Sequence, residues 1–209
     1  MNPFHKIGQR QCLLGLTVLA WLGAIATGFF FLTRHELEPG AVASIPSEWP
    51  ASVPIVFDGN RMNLILFAHP RCPCTSATLT ELIKVMTRCG DRVKVSILFF
   101  SPKEEEASWR QTVLWREASK IPGITVAADP DGKIATSFGA LTSGQVLLFD
   151  PRGRLCFSGG ITGSRGHEGD NVGADAVTSA ILGKTDTLVR TPAYGCSLLG
   201  WSQIKLETP

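Results

Sequence analysis

Two cysteines separated by a single proline are the residues of this chain best suited to chemistry. Cys72, Pro73 and Cys74 follow directly on the apolar run at 64–68, and an amphipathic pattern begins immediately after them. A sulfur at a helix start lies at the positive end of the helix dipole, which favours thiolate over thiol. We therefore expect Cys72 to be the nucleophile of a thiol–disulfide exchange, and Cys74 to resolve the mixed disulfide that Cys72 forms.

The spacing of the pair bears on its redox character. A disulfide between Cys72 and Cys74 would close a small ring, in which the preferred torsion of about 90° is hard to reach. Strain of that kind makes a disulfide easier to reduce. We therefore expect the pair to be oxidising or isomerising rather than strongly reducing.

A metal site is the main alternative. His69, Cys72 and Cys74 form an H-x-x-C-x-C cluster, and soft thiolates with an imidazole suit Cu(I) or zinc. On this hypothesis the protein is a copper or zinc chaperone module, whereas the redox hypothesis needs no cofactor. A peroxidase is less favoured, because His69 stands where a threonine is expected three residues before the reactive cysteine. Two inert thiols or a static disulfide is the structural alternative.

The elements around the cysteine pair are well indicated. Apolar residues recur at Leu79, Leu82, Ile83 and Met86, which predicts a helix over 75–88. Pro73 suits its first turn, and Thr75 or Ser76 is expected to cap it. Strands are predicted at 55–57, 63–68, 93–99, 124–128, 145–149 and 154–158, with further helices near 109–118 and 174–182.

The order of these elements, with βαβ crossovers first and a hairpin last, predicts an α/β thioredoxin-like fold: a central mixed sheet with flanking helices. The chain also resembles membrane-tethered thioredoxin-like proteins of the TlpA and peroxiredoxin superfamily, in the cysteine pair at the end of a buried strand and in the run Val146 to Arg154. It is most similar to the RedB-type set. That likeness lies in His69-Pro70-Arg71-Cys72-Pro73-Cys74-Thr75, Ser158-Gly159-Gly160-Ile161-Thr162, Arg165-Gly166-His167-Glu168-Gly169-Asp170-Asn171 and Gly195-Cys196.

The resemblance implies thiol redox chemistry for the chain from Val53 onwards, with two departures. The family's usual motif has two residues between its cysteines, and only Pro73 lies between them here. The family also has a cis-proline opposite the cysteines, and Gly144 stands at the matching position. The resemblance therefore does not carry over the partner specificity of ordinary thioredoxins.

A glycine-rich loop at 159–173 is expected to complete the site. In the predicted sheet the last strand is parallel to the cysteine-bearing strand, so this loop emerges at the same edge as Cys72. His167 is expected to carry a proton for the leaving thiolate or to bind the metal. Arg165, Glu168 and Asp170 would line the same edge. The alternative is that the loop is only a surface connection, with Asp170 or Asn171 capping the next helix.

Four cysteines lie outside the pair. Cys12 is expected within the membrane, and Cys89 and Cys156 in the core. Cys196 differs, because residues 185–194 could span about 30 Å if extended. It is thus a candidate third redox cysteine or ligand, the alternative being an incidental tail thiol.

The domain organisation follows from composition. We predict a cytoplasmic N-terminus at 1–11, a transmembrane anchor at 12–32, an extended linker at 33–52, a thioredoxin-like domain at 53–185 and a C-terminal tail at 186–209. A cleaved signal peptide is the alternative to the anchor. Lys6 and Arg10 favour the amino terminus inside, which places the domain in the periplasm or another extracytoplasmic space.

The charge balance limits the partners. The chain has 20 basic and 18 acidic residues and a net charge of +2, which gives no support to nucleic-acid binding. The expected partners are thiols or disulfides of cell-envelope proteins, and the membrane through the first helix.

Overall fold

The computed structural model describes residues 3–184 and 188–199. Its first helix, α1 (Pro3–Leu37), belongs to a unit that ends at Glu38 and is separate from the unit that begins at Pro39. Within α1, the stretch Arg10–Leu37 is exposed and is long and apolar enough to cross a membrane. The helix continues past residue 32, where the predicted anchor ends.

A mixed sheet forms the centre of the second unit. Its strands are β1 (Met62–Ala68), β2 (Val93–Ser101), β3 (Ile124–Pro130), β4 (Gln145–Phe149), β5 (Leu155–Gly160) and β6 (Val189–Arg190). Within the described residues the strand order is β3-β2-β1-β4-β5-β6. The strands β1, β2 and β3 are parallel to one another, whereas β4 is antiparallel to both β1 and β5. This order confirms the predicted thioredoxin-like sheet.

Helices flank this sheet, as expected. The predicted helix near 109–118 is two short helices, because Thr112 has an extended backbone and accepts a hydrogen bond from the Trp115 N–H at 3.3 Å, which begins a new helix. The helices are α2 (Cys74–Cys89), α3 (Glu106–Trp109), α4 (Val113–Ser119), α5 (Lys133–Ser137) and α6 (Val172–Ile181), with single 3-10 turns at Gly90–Arg92 and Lys103–Glu105.

Both faces of the sheet are buried, which explains the uninterrupted apolar run in β1. Leu64 and Leu66 pack in a cluster with residues of α2 and α6, while Ile65 and Phe67 pack in a second cluster on the opposite face. Alternate residues of β1 are packed in clusters on opposite faces, so the strand is held from both sides up to its carboxyl end. The cysteine pair follows that end directly.

The segment after α1 is not a free tether from Pro39 onwards. Val42 and Glu48 form isolated antiparallel bridges with Ala140 and Arg154, and the Trp49 ring packs edge-on against Phe149 at 5.3 Å between centroids. These contacts attach the predicted linker to the domain, so the ordered unit begins earlier than residue 53.

The predicted strand at 55–57 is wrong, since these residues pair with no strand. Ile55 packs on the apolar cluster around Ile65 and Phe67, and the Val56 carbonyl accepts a hydrogen bond from the Lys94 Nζ at 2.8 Å. Ile55 therefore covers a face of the sheet instead of extending its edge, while Val56 is exposed.

The turn between β4 and β5 depends on Asp150. Its carboxylate accepts hydrogen bonds from the N–H groups of Arg152 and Arg154 and from Nε of Arg154, at 2.8–2.9 Å. Burial acts to raise the pKa of this carboxyl, but the bonds from Arg154 and Arg152 outweigh it, so the pKa is lowered.

We expect Asp150→Ala to lower the free energy of unfolding by about 2 kcal/mol, because two turn N–H groups lose a charged acceptor. The folded pKa lies below the unfolded value, so this stabilisation is present above about pH 4 and is lost as the pH falls further. Urea unfolding of the full chain in detergent micelles, followed by tryptophan fluorescence, measures it. The exposed Asp91→Ala is the control, and an equal loss in both variants would contradict the prediction.

Candidate active site

The cysteine pair lies where β1 passes into α2. Cys72 lies two residues before α2 and is 1% exposed, whereas Cys74 is the first residue of α2 and is half-buried. The turn is fixed by main-chain bonds from the Cys72 N–H to the His69 carbonyl, at 3.0 Å, and from the Thr75 N–H to the Cys72 carbonyl, at 3.1 Å. The nucleophile candidate is therefore buried in a defined turn.

The expected cap from Thr75 or Ser76 does not form, because α2 begins without a side-chain cap. The Thr75 hydroxyl instead donates to the His69 carbonyl at 3.2 Å and lies 3.1 Å from the Ser143 Oγ. Thr75 thus ties the cysteine turn to the turn before β4.

That second turn places Ser143 against the cysteines. The Ser143 Oγ accepts a hydrogen bond from the His69 N–H at 2.9 Å, and its hydroxyl acts to lower the pKa of Cys72. The neighbouring Gly144 donates its N–H to the Phe67 carbonyl at 2.8 Å. The φ of Gly144 is 90°, a conformation that favours glycine. Sequence reasoning singled out Gly144 but missed Ser143, whose position directly before it was the available signal.

Cys196 lies at the same site. Its thiol and its main-chain N–H both act to lower the pKa of Cys72, and its carbonyl accepts from the Ser143 N–H at 2.8 Å. Cys196 is otherwise exposed, so the burial of its thiol is only partial. The structure thus brings together three of the four cysteines or histidines that the sequence proposed as catalytic.

The three thiols have different proton affinities. Burial acts to raise the pKa of Cys72, but hydrogen bonds from the Cys196 thiol and N–H, the Cys74 N–H and the Ser143 hydroxyl outweigh it, so the pKa is lowered. Burial and the Cys72 charge raise the pKa of Cys74. Burial and the hydrogen bond and charge of Cys72 raise the pKa of Cys196 to about 12. Cys72 is therefore the first of the three to become a thiolate.

The glycine-rich loop reaches the site through Arg165. The predicted parallel relation of β5 and β1 is confirmed, since β4 is antiparallel to both. The Arg165 Nη1 donates to the Gly195 carbonyl, and its positive charge acts to lower the pKa values of Cys74 and Cys196. Arg165 is thus the loop residue whose charge acts on the thiols.

The other loop residues have different contacts. His167 is exposed and lies against its own loop, since a Cβ on Gly163 would be 3.6 Å from its ring. The Glu168 carboxylate lies 3.3 Å from the Thr80 hydroxyl on α2. Asp170 is exposed, and Asn171 caps α6 by accepting from the Ala174 N–H at 2.8 Å. A catalytic role for His167 stays a prediction.

His69 is part of an aromatic cluster. Its ring stacks on Phe100 at 5.8 Å and meets Trp109 edge-on at 5.3 Å, and its Nδ1 accepts from the Arg71 N–H at 3.2 Å. Burial and the Arg71 charge lower the pKa of the imidazole. Among the described residues, no group of three His, Cys, Asp or Glu side chains is arranged to hold a metal ion. The copper or zinc alternative through His69, Cys72 and Cys74 is therefore not favoured.

The remaining three cysteines lie outside this site. Cys89 is buried in the core at the end of α2, where burial raises its pKa. Cys156 is half-buried on β5, and Cys12 is exposed on α1. These three provide controls for substitutions of the site cysteines.

We expect Ser143→Ala to slow alkylation of Cys72 by iodoacetamide at pH 7 by about threefold to tenfold, because the thiolate loses one donor. The rate of the full-length protein across a pH series, with Cys72 identified by mass spectrometry, measures the effect. The pH midpoint should rise. The exposed Ser137→Ala should leave it unchanged, and an unshifted midpoint in Ser143→Ala would exclude the hydroxyl as a donor.

Comparison with known proteins bears on the fold. No protein-family model matches the sequence, and no curated protein gives a significant match. Solved structures do resemble it. A hypothetical protein from Sinorhizobium meliloti 1021 is 21% identical with a TM-score of 0.54, over 77% of this chain and 93% of that one. An uncharacterized conserved protein from Geobacillus kaustophilus is 16% identical with a TM-score of 0.55, over 78% of this chain and 93% of that one.

A third solved structure is the pneumococcal exposed lipoprotein thioredoxin from Streptococcus pneumoniae strain TIGR4. It is 18% identical with a TM-score of 0.45, over 60% of this chain and 86% of that one. At these identities the likenesses concern the fold. Membership of the TlpA superfamily or the RedB-type set stays a prediction from the sequence.

Proposed function

We propose that this protein is a membrane-tethered, extracytoplasmic thiol–disulfide oxidoreductase in which Cys72 is the nucleophile. The observation that supports this most directly is the surrounding of the Cys72 sulfur. The sulfur is buried, yet its pKa is lowered, because the Ser143 hydroxyl, the Cys74 N–H, and the thiol and N–H of Cys196 together outweigh burial. A buried thiol with no function would not need donors that stabilise its anion.

The reaction follows from thiolate chemistry. The Cys72 thiolate attacks one sulfur of a substrate disulfide, forming a mixed disulfide and releasing a substrate thiolate that takes up a proton. A second thiol, Cys74 or Cys196, loses its proton and attacks the Cys72 sulfur. The substrate sulfur that was bound to Cys72 then leaves as a thiolate and takes up a proton. Two electrons pass from the protein to the substrate, and the reverse sequence oxidises a substrate dithiol.

Arg165 supports the second step. The attacking thiol must lose its proton, and burial together with the nearby Cys72 raises the pKa values of both Cys74 and Cys196. Once Cys72 is held in a mixed disulfide its negative charge is gone, while the Arg165 charge remains. The resolving thiol is then easier to ionise than in the reduced protein.

The location is proposed from α1 and from the chemistry. A helix that is long and apolar enough to cross a membrane precedes the domain, and lasting disulfides form in oxidising compartments outside the cytosol. We place the domain on the extracytoplasmic side, with cell-envelope proteins as substrates. Resistance of the full-length protein to alkaline extraction from membranes, with protease access to the domain from the outer side only, tests this location.

The reaction is tested by trapping its intermediate in the full-length protein in detergent micelles. With oxidised glutathione, the Cys74→Ser/Cys196→Ser variant should accumulate glutathione on Cys72, because both resolving thiols are missing. The wild type should pass through this adduct to an intramolecular disulfide. The Cys156→Ser variant is the matched control and should behave as the wild type. A double variant that carries no glutathione on Cys72 would overturn the proposal.

A further inference from the structure

The chain beyond β6 runs back to the cysteines as an extended segment. Its Thr191 N–H donates to the Ser158 carbonyl at 3.1 Å, and its Pro192 carbonyl accepts from the Gly160 N–H at 3.2 Å. The buried Ala193 follows, with its carbonyl 2.8 Å from the Gly40 N–H. This course delivers residues 195–198, here called the tail segment, to the turn before β4.

The tail segment pairs with residues 141–143, here called the docking edge, as an added antiparallel strand. Thr142 and Ser197 form an antiparallel bridge. On either side of it, the Ser143 N–H donates to the Cys196 carbonyl at 2.8 Å and the Leu198 N–H donates to the Leu141 carbonyl at 2.9 Å. The Leu198 side chain is 2% exposed and packs in the cluster that contains Ile65 and Phe67.

Three glycines allow the main chain of the tail to approach the domain closely. A Cβ on Gly195 would lie 1.9 Å from the Ser143 carbonyl oxygen. A Cβ on Gly159 would lie 2.1 Å from the Thr191 carbonyl oxygen, and one on Gly160 would lie 2.8 Å from that of Pro192. No side chain fits at these contacts, so the close approach of the tail needs glycine on both sides.

From this geometry we infer that the tail segment is a built-in substrate, which occupies the place where an extended, cysteine-containing segment of a partner protein binds. The docking edge presents the Ser143 N–H and the Leu141 carbonyl, which bind any extended main chain. A partner cysteine at the register of Cys196 would lie against the Cys72 sulfur. The tail must leave before a partner can bind. This inference rests on the proposed function.

A consequence concerns the disulfide of the oxidised protein. Cys72 and Cys196 are distant in sequence, so their disulfide avoids the small ring that Cys72 and Cys74 would close. Its formation removes two electrons and two protons from the two thiols, and the substrate disulfide receives them as two thiols. The oxidised resting protein therefore carries the Cys72–Cys196 disulfide, with Cys74 reduced.

Disulfide mapping tests the pairing. The full-length wild type in micelles is oxidised with oxidised glutathione, its free thiols are alkylated, and peptides are identified by mass spectrometry. A Cys72–Cys196 disulfide in most molecules supports the inference. A Cys72–Cys74 disulfide would overturn it and leave the proposed function standing, whereas a Cys72 that forms no disulfide with any thiol would overturn both.

Competition between the tail and a partner is tested in the Cys74→Ser/Cys196→Ser background, where Cys72 is the remaining site thiol. The probe is a peptide of residues 193–199 whose cysteine is a disulfide with thionitrobenzoate, and release of coloured thionitrobenzoate gives the rate. Rates are compared on the high-pH plateau, where Cys72 is ionised in every variant. Mass spectrometry checks that the peptide is attached to Cys72.

Adding Gly195→Ala should raise this rate about tenfold, because a docked tail leaves only a small fraction of molecules open to the peptide. Arg165→Gln, which removes the hydrogen bond to the Gly195 carbonyl, should also raise the rate. It is the substitute test if Gly195→Ala does not fold. The matched control Gly59→Ala, at a position with open space, should not change it. A peptide with Leu198→Pro, which lacks the pairing N–H, should react more slowly.

Equal rates for Gly195→Ala, Arg165→Gln and Gly59→Ala would overturn the inference, since the tail would then not compete with the peptide. If all three variants released thionitrobenzoate at the rate of the background protein, Cys72 would still be an exchanging thiol. Only a background protein that releases no thionitrobenzoate would contradict the proposed function itself.

Discussion

Replacing Cys72 by serine is expected to lower the rate of disulfide exchange by about a thousandfold or more, the size of effect seen when an enzyme loses its nucleophile. Cys72 is the site thiol whose pKa is lowered, through the Ser143 hydroxyl, the Cys74 N–H and the Cys196 thiol and N–H, which outweigh burial. In this variant burial still acts to raise the pKa values of Cys74 and Cys196, so neither thiol is a substitute near neutral pH. The full-length protein in micelles, assayed with oxidised glutathione and with insulin, gives the rate.

Two other cysteines serve as matched controls for this loss. Cys156→Ser and Cys89→Ser each remove a thiol that lies outside the site, and each should retain most of the wild-type rate. Far-UV circular dichroism compares the folds. A Cys72→Ser variant that keeps more than about a tenth of the activity would make Cys74 or Cys196 the nucleophile and would contradict the assignment.

The central sheet could be predicted from sequence because its strands carry strong local signals. The apolar run of β1 is buried on both faces, and α2 repeats its apolar residues at helical spacing, so pattern and structure agree. The parallel direction of β5 and β1 then follows from the hairpin, which is a general rule of sheet topology. The edge at which the glycine-rich loop emerges could therefore be predicted as well.

Which side chain of that loop acts on the cysteines could not be predicted. Topology brings the whole loop to one edge but does not orient its side chains. The sequence favours His167 because an imidazole can carry a proton, whereas the structure directs Arg165 to the Gly195 carbonyl. That contact depends on the tail, whose course has no local sequence pattern.

The segments that flank the domain were also beyond prediction. Proline and small residues between 39 and 54 are typical of a linker, yet Trp49 packs on Phe138 and Phe149. Likewise Gly159, Gly160 and Gly195 are ordinary loop residues in the sequence, and only the tertiary contacts of the tail explain them. Long-range contacts of irregular chain leave no periodic signal.

Removing the Cys72 sulfur should also make Cys196 more reactive. Burial, the hydrogen bond from Cys196 to Cys72 and the Cys72 charge raise the pKa of Cys196 to about 12. In Cys72→Ser the burial remains, but the thiolate that accepts the bond and repels a second charge is gone. The pKa of Cys196 should therefore fall towards its ordinary value. Each unit of that fall multiplies the thiolate fraction at pH 8 by about ten.

A thiolate of lower pKa is a weaker nucleophile, which offsets about half of each gain on a logarithmic scale. We therefore expect iodoacetamide to alkylate Cys196 about tenfold faster at pH 8 in Cys72→Ser than in the wild type, as measured by mass spectrometry of the full-length protein. Cys156→Ser should leave the rate at Cys196 unchanged. A Cys196 that reacts equally slowly in both proteins would mean that burial alone raises its pKa. The charge of Cys72 would then have no effect on Cys196 in the reduced site.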